Sequence, residues 1–211
     1  MGRRGPDDQL GTVNLITADK IREVATLVRA GKTISLIRNG VQNYTGRIVT
    51  RGVFIDLAEH WGVEALDPGY AITVHDLEEC LAQTDLAVRP GDALVIRTGL
   101  MAARRGQWGD YAGGPSPGLS LHTAPWLRDQ DIAAIATDTW AIEVLPNEID
   151  VWQPLHVVSL AHTGLAFGEM FDLDAPSEDS KTDGIYEFMF AASPLPLTGA
   201  SGSPVSALAI K

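Results

Sequence analysis

The sequence predicts an α/β fold that borders on α+β, and three observations predict it. Strand and helix signals alternate along the chain. The apolar runs are short and bounded by Gly, Pro and Asn, as strands buried in a sheet require. The composition is that of an ordinary globular domain: 211 residues, 45% hydrophobic and 20% charged. No internal repeat or long linker divides the chain, which reads as a single domain over residues 1–211.

The elements follow in order. Thr17 is a helix N-cap, and Ile21, Val24, Ala25, Leu27 and Val28 share one face of a helix from Ala18 to Ala30. Gly31 stands where a helix-ending glycine belongs, and Thr33–Leu36 reads as a short strand. Residues 37–47 contain Asn-Gly and no sustained pattern, so they read as a turn or loop. Ile48-Val49 and Val53–Leu57 read as strand on either side of Arg51-Gly52, with Val53, Ile55 and Leu57 alternating. Thr73, with Asp76 three residues on, starts a second helix that runs to about Gln83.

Pro90-Gly91-Asp92 is a turn before a buried strand, Ala93–Thr98. Residues 104–118 form a long Gly- and Pro-rich loop containing Trp108 and Tyr111. A short helix over Leu121–Leu127 and a core strand over Asp131–Asp138 come next. Pro154 starts a helix that Gly164 stops, and Tyr186–Ala191 is the last clear strand. A small-residue loop, Gly199–Val205, leads to an apolar stretch over Ala207–Ile210.

Charge and cysteine content exclude several classes. Lys and Arg number 16 against 27 Asp and Glu, a net charge of -11. Such a chain lacks the basic footprint that neutralises nucleic-acid phosphates or docks on anionic lipid. The single cysteine, Cys80, rules out an internal disulfide framework and sits beside two acids, which disfavour its thiolate. No apolar run reaches the 18 or so residues that span a bilayer, and the Arg3-Arg4 pair has no apolar region behind it. The expected location is the cytoplasm.

The chemistry is confined to few residues. The histidines are His60, His75, His122, His156 and His162. No HExxH, CxxC, GxSxG, Walker or clean GxGxxG pattern is present. His156 lies in an apolar helical run, and Glu169 lies in Phe167-Gly168-Glu169-Met170-Phe171. A carboxylate among aromatic residues is costly to bury unless it is paired or metal-bound, so these two are either ligands or a core histidine with a separate glutamate. His60, Glu64 and Asp67 offer a second cluster, equally explained as a solvated connection before Pro68-Gly69. Asp138 ends an apolar strand, where a carboxylate either faces a site or caps a turn. His122, Trp126 and Trp108 either line a pocket or belong to the core.

Several segments together resemble the cyclase family of metal-dependent hydrolases, which includes arylformamidase (kynurenine formamidase) and isatin hydrolase. The similar segments are Gly5–Thr17, Ile48–Leu57, Pro68–Thr73, Gly91–Gly99, Ala136–Thr139, Pro154–His156 and Gly202–Val205, in that order. The resemblance implies a swivelling β/β/α-type fold, usually oligomeric. It implies hydrolysis of a non-peptide C–N bond in a small amide, such as an N-formyl aromatic amine of the kynurenine type or a cyclic amide. A divalent zinc or manganese ion would activate water there. The family's late metal ligands, a histidine and a downstream glutamate, fall on His156 and Glu169.

One family feature is missing. The hallmark His-x-Gly-Thr-His-x-Asp, expected between the opening segment and the central strand, occurs nowhere in the chain. The chain is therefore read as internally shortened near 37–47. Two expectations result. One is an arylformamidase-like hydrolase in which Asp138, His60 or another chain supplies further ligands. The other is a non-catalytic family scaffold or assembly subunit. A domain cut in its middle leaves apolar surface uncovered, which favours a homo-oligomer.

Overall fold

The computed structural model describes residues 17–26, 28, 48–197, 200 and 202–211. Chain contacts divide it into two compact units, Met1–Leu36 and Ile37–Lys211. In the first, helix α1 spans Ala18–Ala25. Thr17 caps it as expected, its hydroxyl accepting from the Lys20 amide at 3.2 Å. Lys20 pairs with Glu23, and Arg22 with Asp19, one turn apart. The strand expected over Thr33–Leu36, the loop over 37–47 and the opening segment before Thr17 lie outside the described residues.

The second unit is built on a six-stranded sheet. Strand β1 spans Ile48–Asp56, and a single turn of helix, α2, spans Leu57–His60. Then come β2 at Ala71–Ile72, α3 at Val74–Gln83, β3 at Ala93–Arg97 and α4 at Leu100–Arg104. β4 at Gly118–Leu119 precedes α5 at Ala124–Asp129 and β5 at Ala134–Thr137. α6 at Pro154–His156 runs straight into a π-helical turn, Val157–Thr163, which Gly164 ends. β6 at Ala166–Gly168, α7 at Asp174–Asp183, β7 at Glu187–Pro194 and β8 at Val205–Ile210 complete the chain. The strand order is β6-β5-β3-β1-β7-β8, and β2 pairs with β4 in a separate ribbon. β6, β5, β3 and β1 run parallel, while β7 and β8 are antiparallel.

β5, β3 and the second half of β1 are buried on both faces, as crossover connections demand, while the edge strand β6 is half-buried. Val53, Ile55, Leu94, Ile96 and Ile135 face one core, with Leu77, Ile142 and Leu155. Phe54, Val95, Ala134 and Ala136 face the other, with Leu173, Phe188 and Phe190. No helix among the described residues is long and apolar enough to cross a membrane.

The expected α3 forms with a complete capping box. The Thr73 hydroxyl accepts from the Asp76 amide, and the Asp76 carboxylate accepts from the Thr73 amide at 2.7 Å. Two readings need correction. Gly52 does not break β1. It sits in one continuous strand because a Cβ there would lie 2.4 Å from the Phe188 ring on β7, so the close approach itself requires glycine. Leu57 is helical, since the buried Asp56 carboxylate accepts from the Glu59 amide and turns the chain.

Helix α7 went unread because its buried face is Ser177 and Ser180 rather than an apolar stripe. It is held by polar contacts. Ser177 bonds Asp56, Arg97 bridges Asp56 and Asp174, and Lys211 pairs with Asp179 and Asp183.

Candidate functional site

Charged groups gather at the carboxyl ends of the parallel strands, where open α/β sheets place their ligands. Asp56 ends β1, Arg97 ends β3, and Asp138 and Glu169 directly follow β5 and β6. Three of these are committed to structure, Asp56 through the α2 cap and Ser177. Arg97 is held between Asp56, at 3.0 Å, and Asp174, at 3.3 Å. Asp138 is 2% exposed and accepts from the Thr98 amide, the Thr98 hydroxyl and the Gly99 amide, each at 2.8 Å. Burial pushes its carboxyl up to about 6, against those donors and Arg97. Asp138 is thus the cap of the β3 turn, the second of its two sequence readings.

Glu169 and His156 converge. His156 Nε2 lies 3.2 Å from Glu169 Oε1. The backbone is strained on both arms: Gln153, just before α6, has φ 46°, and Met170, just after Glu169, has φ 60°. The Met170 and Phe171 amides donate to the Thr139 and Thr137 carbonyls at 2.9 Å, which ties the Glu169 segment to the end of β5. The helix carrying His156 changes to π-helical pitch directly after it, a local irregularity that frequently marks functional positions.

A third group completes the cluster. Glu143, 2% exposed, accepts from His156 Nδ1 at 2.6 Å and from the His156 amide at 3.0 Å through one oxygen. Its other oxygen accepts from the Leu155 amide at 3.0 Å and the Asn147 side chain at 3.3 Å. The ring of Phe167 packs nearly perpendicular to the imidazole, centroids 4.9 Å apart. Burial pushes the imidazole down, but the hydrogen bonds to Glu143 and Glu169 outweigh it and raise the pKa to about 9. Both ring nitrogens thus face a carboxylate oxygen. Glu143 was missed in the sequence. The available signal was an isolated acid inside the apolar run Trp140-Ala141-Ile142-Glu143-Val144-Leu145, which must find a partner.

The remaining sequence candidates make contacts elsewhere. His60 Nδ1 meets Gln83 Oε1 on α3, and its ring packs on Trp61. Glu64 and Asp67 are exposed, so their segment is the solvated connection. His75 is exposed beside Glu79. Trp126 donates to Glu78 while Trp108 packs on Tyr111. Tyr111 in turn donates to the Asp138 carbonyl. Cys80 is buried, and burial pushes its thiol up to about 12, the unreactive state expected. Among the described residues, no group of three or more His, Cys, Asp or Glu stands where it would hold a metal ion.

Comparison with known proteins gives a consistent set. The family model described as "Putative cyclase" matches residues 17–144. The solved structure of a novel cyclase is similar at 36% identity and a TM-score of 0.71, covering 82% of this chain and 56% of that one. Isatin hydrolase A from Ralstonia solanacearum shares the fold at 18% identity and a TM-score of 0.59, covering 77% of this chain and 60% of its own. A protein described as a predicted metal-dependent hydrolase from Bacillus stearothermophilus shares it at 18% identity and a TM-score of 0.53, covering 82% and 70%. No curated protein matches. The chain thus spans less than two thirds of the length of the first two structures.

Proposed function

The chain belongs to the cyclase family, and on that premise we propose that it is a hydrolase-like member acting on a non-peptide C–N bond, with His156 and Glu169 at two ligand positions of a divalent metal. The carrying observation is the 3.2 Å approach of His156 Nε2 to Glu169. Neighbouring corners of a tetrahedral zinc shell with bonds of 2.0–2.1 Å lie about 3.3 Å apart, so the pair fits two corners in kind and spacing. The carboxylate behind Nδ1 is the usual companion of a metal-binding imidazole. Nε2 gives up its proton before it can bind a cation. The ion, when bound, would lower the pKa of a water and polarise the substrate carbonyl. Arylformamidase-like specificity, for an N-formyl aromatic amine or a cyclic amide, is the finer part of this proposal. It rests on the family and on the isatin hydrolase similarity.

The pair falls short in number. Asp138 accepts from Thr98 and Gly99, His60 Nδ1 meets Gln83, and among the described residues neither joins the pair in a group of three that could hold a metal. All five histidines fall among the described residues, so the rest of the chain holds no further imidazole. We propose that a second copy supplies what is missing, within one family domain over 1–211 shortened near 37–47. Ile149, Val151, Trp152, Val157 and Leu160, before and after His156, are each 47–68% exposed and form the apolar surface such a copy would cover. Solution scattering is expected to give a mass above one chain; a clean monomer at tens of micromolar contradicts the association.

The activity test is hydrolysis of N-formylated aromatic amines and cyclic amides by protein reconstituted with zinc or manganese. Metal-dependent turnover is expected, and chelation abolishes it. The second reading, a non-catalytic family scaffold, is favoured by one observation, the missing His-x-Gly-Thr-His-x-Asp block. Absence of turnover with either metal selects it.

A further inference from the structure

We propose that Glu143 is a positioning residue that fixes the His156 imidazole with Nε2 toward Glu169, and so determines which ring nitrogen is offered to a ligand. That the ligand is a cation rests on the function proposed above; the positioning itself does not. One oxygen of Glu143 accepts from both the backbone amide and the ring Nδ1 of His156. Holding backbone and ring from a single point removes freedom about both side-chain torsions. Turning the ring over would set Cδ2 against Glu143 and Cε1 against Glu169, breaking two charge-assisted bonds at once. It would also leave a carboxylate that is 2% exposed without its ring partner.

Glu143 is itself held. Its second oxygen takes the Leu155 amide and the Asn147 side chain, and Asn147 also donates to the Val144 carbonyl and accepts from the Gln153 amide at 3.0 Å. The chain of bonds therefore runs from the loop before α6, through Asn147 and Glu143, to the ring. The Phe167 ring packs nearly perpendicular to the imidazole, centroids 4.9 Å apart. A merely structural account is available, since Glu143 also caps the first amides of α6. Capping predicts lost stability in a Glu143 variant but an unchanged ring.

The test separates the two accounts without metal. In metal-free protein labelled at histidine, NMR is expected to show a slowly exchanging, downfield Nδ1–H for His156 and contacts from its ring to Phe167. Both disappear in Glu143→Gln, which keeps an oxygen acceptor for the cap but loses the charge. Titration with Co²⁺ then shows the affinity of Glu143→Gln lower than the parent's by about 10- to 100-fold. A Glu143→Gln protein with the parent's ring signals overturns the proposal whatever the metal does. If the parent takes up no Co²⁺ while the ring is still released in the variant, the positioning role stands and the cation reading fails. Should Glu143→Gln not fold, Asn147→Ala keeps the carboxylate and removes its support. The same His156 signals must weaken there, and unchanged signals overturn the proposal.

Discussion

Gly99→Ala is expected to destabilise the protein by about 3–5 kcal/mol, whereas Gly91→Ala costs only about 1 kcal/mol. Both glycines have left-handed backbone, with φ of 82° and 88°. That conformation alone costs an L-residue roughly 1–2 kcal/mol. The difference is space. A Cβ on Gly91 meets nothing within 4 Å, while one on Gly99 would lie 2.1 Å from the Glu64 carbonyl oxygen and 2.9 Å from the Ala65 Cα. Both atoms are backbone and cannot swing aside. The Leu66 amide also donates to the Thr98 carbonyl, so the 64–66 connection is laid directly across the end of β3. Chemical denaturation of the two variants measures the contrast. Equal losses would show that the close approach contributes nothing.

Gly118→Ala is the second large effect, and it reaches the candidate site. A Cβ there would lie 2.4 Å from the Glu143 carbonyl carbon and 2.7 Å from the Val144 amide nitrogen. β4 and this segment exchange backbone bonds, Leu119 donating to Ile142 and Val144 donating to Leu119. The methyl must therefore push Glu143 away as a unit. The expected cost is about 3 kcal/mol. A displaced Glu143 also loses the 2.6 Å bond to His156, so the imidazole is released together with the stability. A Gly118→Ala protein with a lowered melting temperature but an unaltered His156 ring signal would contradict the coupling.

How far the molecule was legible in its residues depended on whether the signal was local. The Thr73–Asp76 box, the strands ending at Arg97 and Thr137, and the helix between Pro154 and Gly164 rest on neighbours in sequence, and they were read. Gly52 was understood only through Phe188 on another strand. Helix α7 replaces an apolar face with Ser177 and Ser180, whose partners are distant in sequence. The site divides in the same way. His156 and Glu169 were identified from a costly carboxylate among aromatics and from a family resemblance, and the structure brings them to 3.2 Å. Glu143 serves His156 from 13 positions away, a spacing without periodic meaning, so its role emerged only in three dimensions. Asp138 was undecided between site and cap because both place a carboxylate at a strand end; its three donors decide it.

The central claim is that His156 and Glu169 form two corners of a divalent metal centre. Calorimetric titration of the metal-free protein with Zn²⁺, beside His156→Ala, tests it most directly. The prediction is uptake of about one ion per chain by the parent, with affinity lower by roughly a hundredfold or more in the variant. No uptake by the parent, or the same uptake in both proteins, contradicts it.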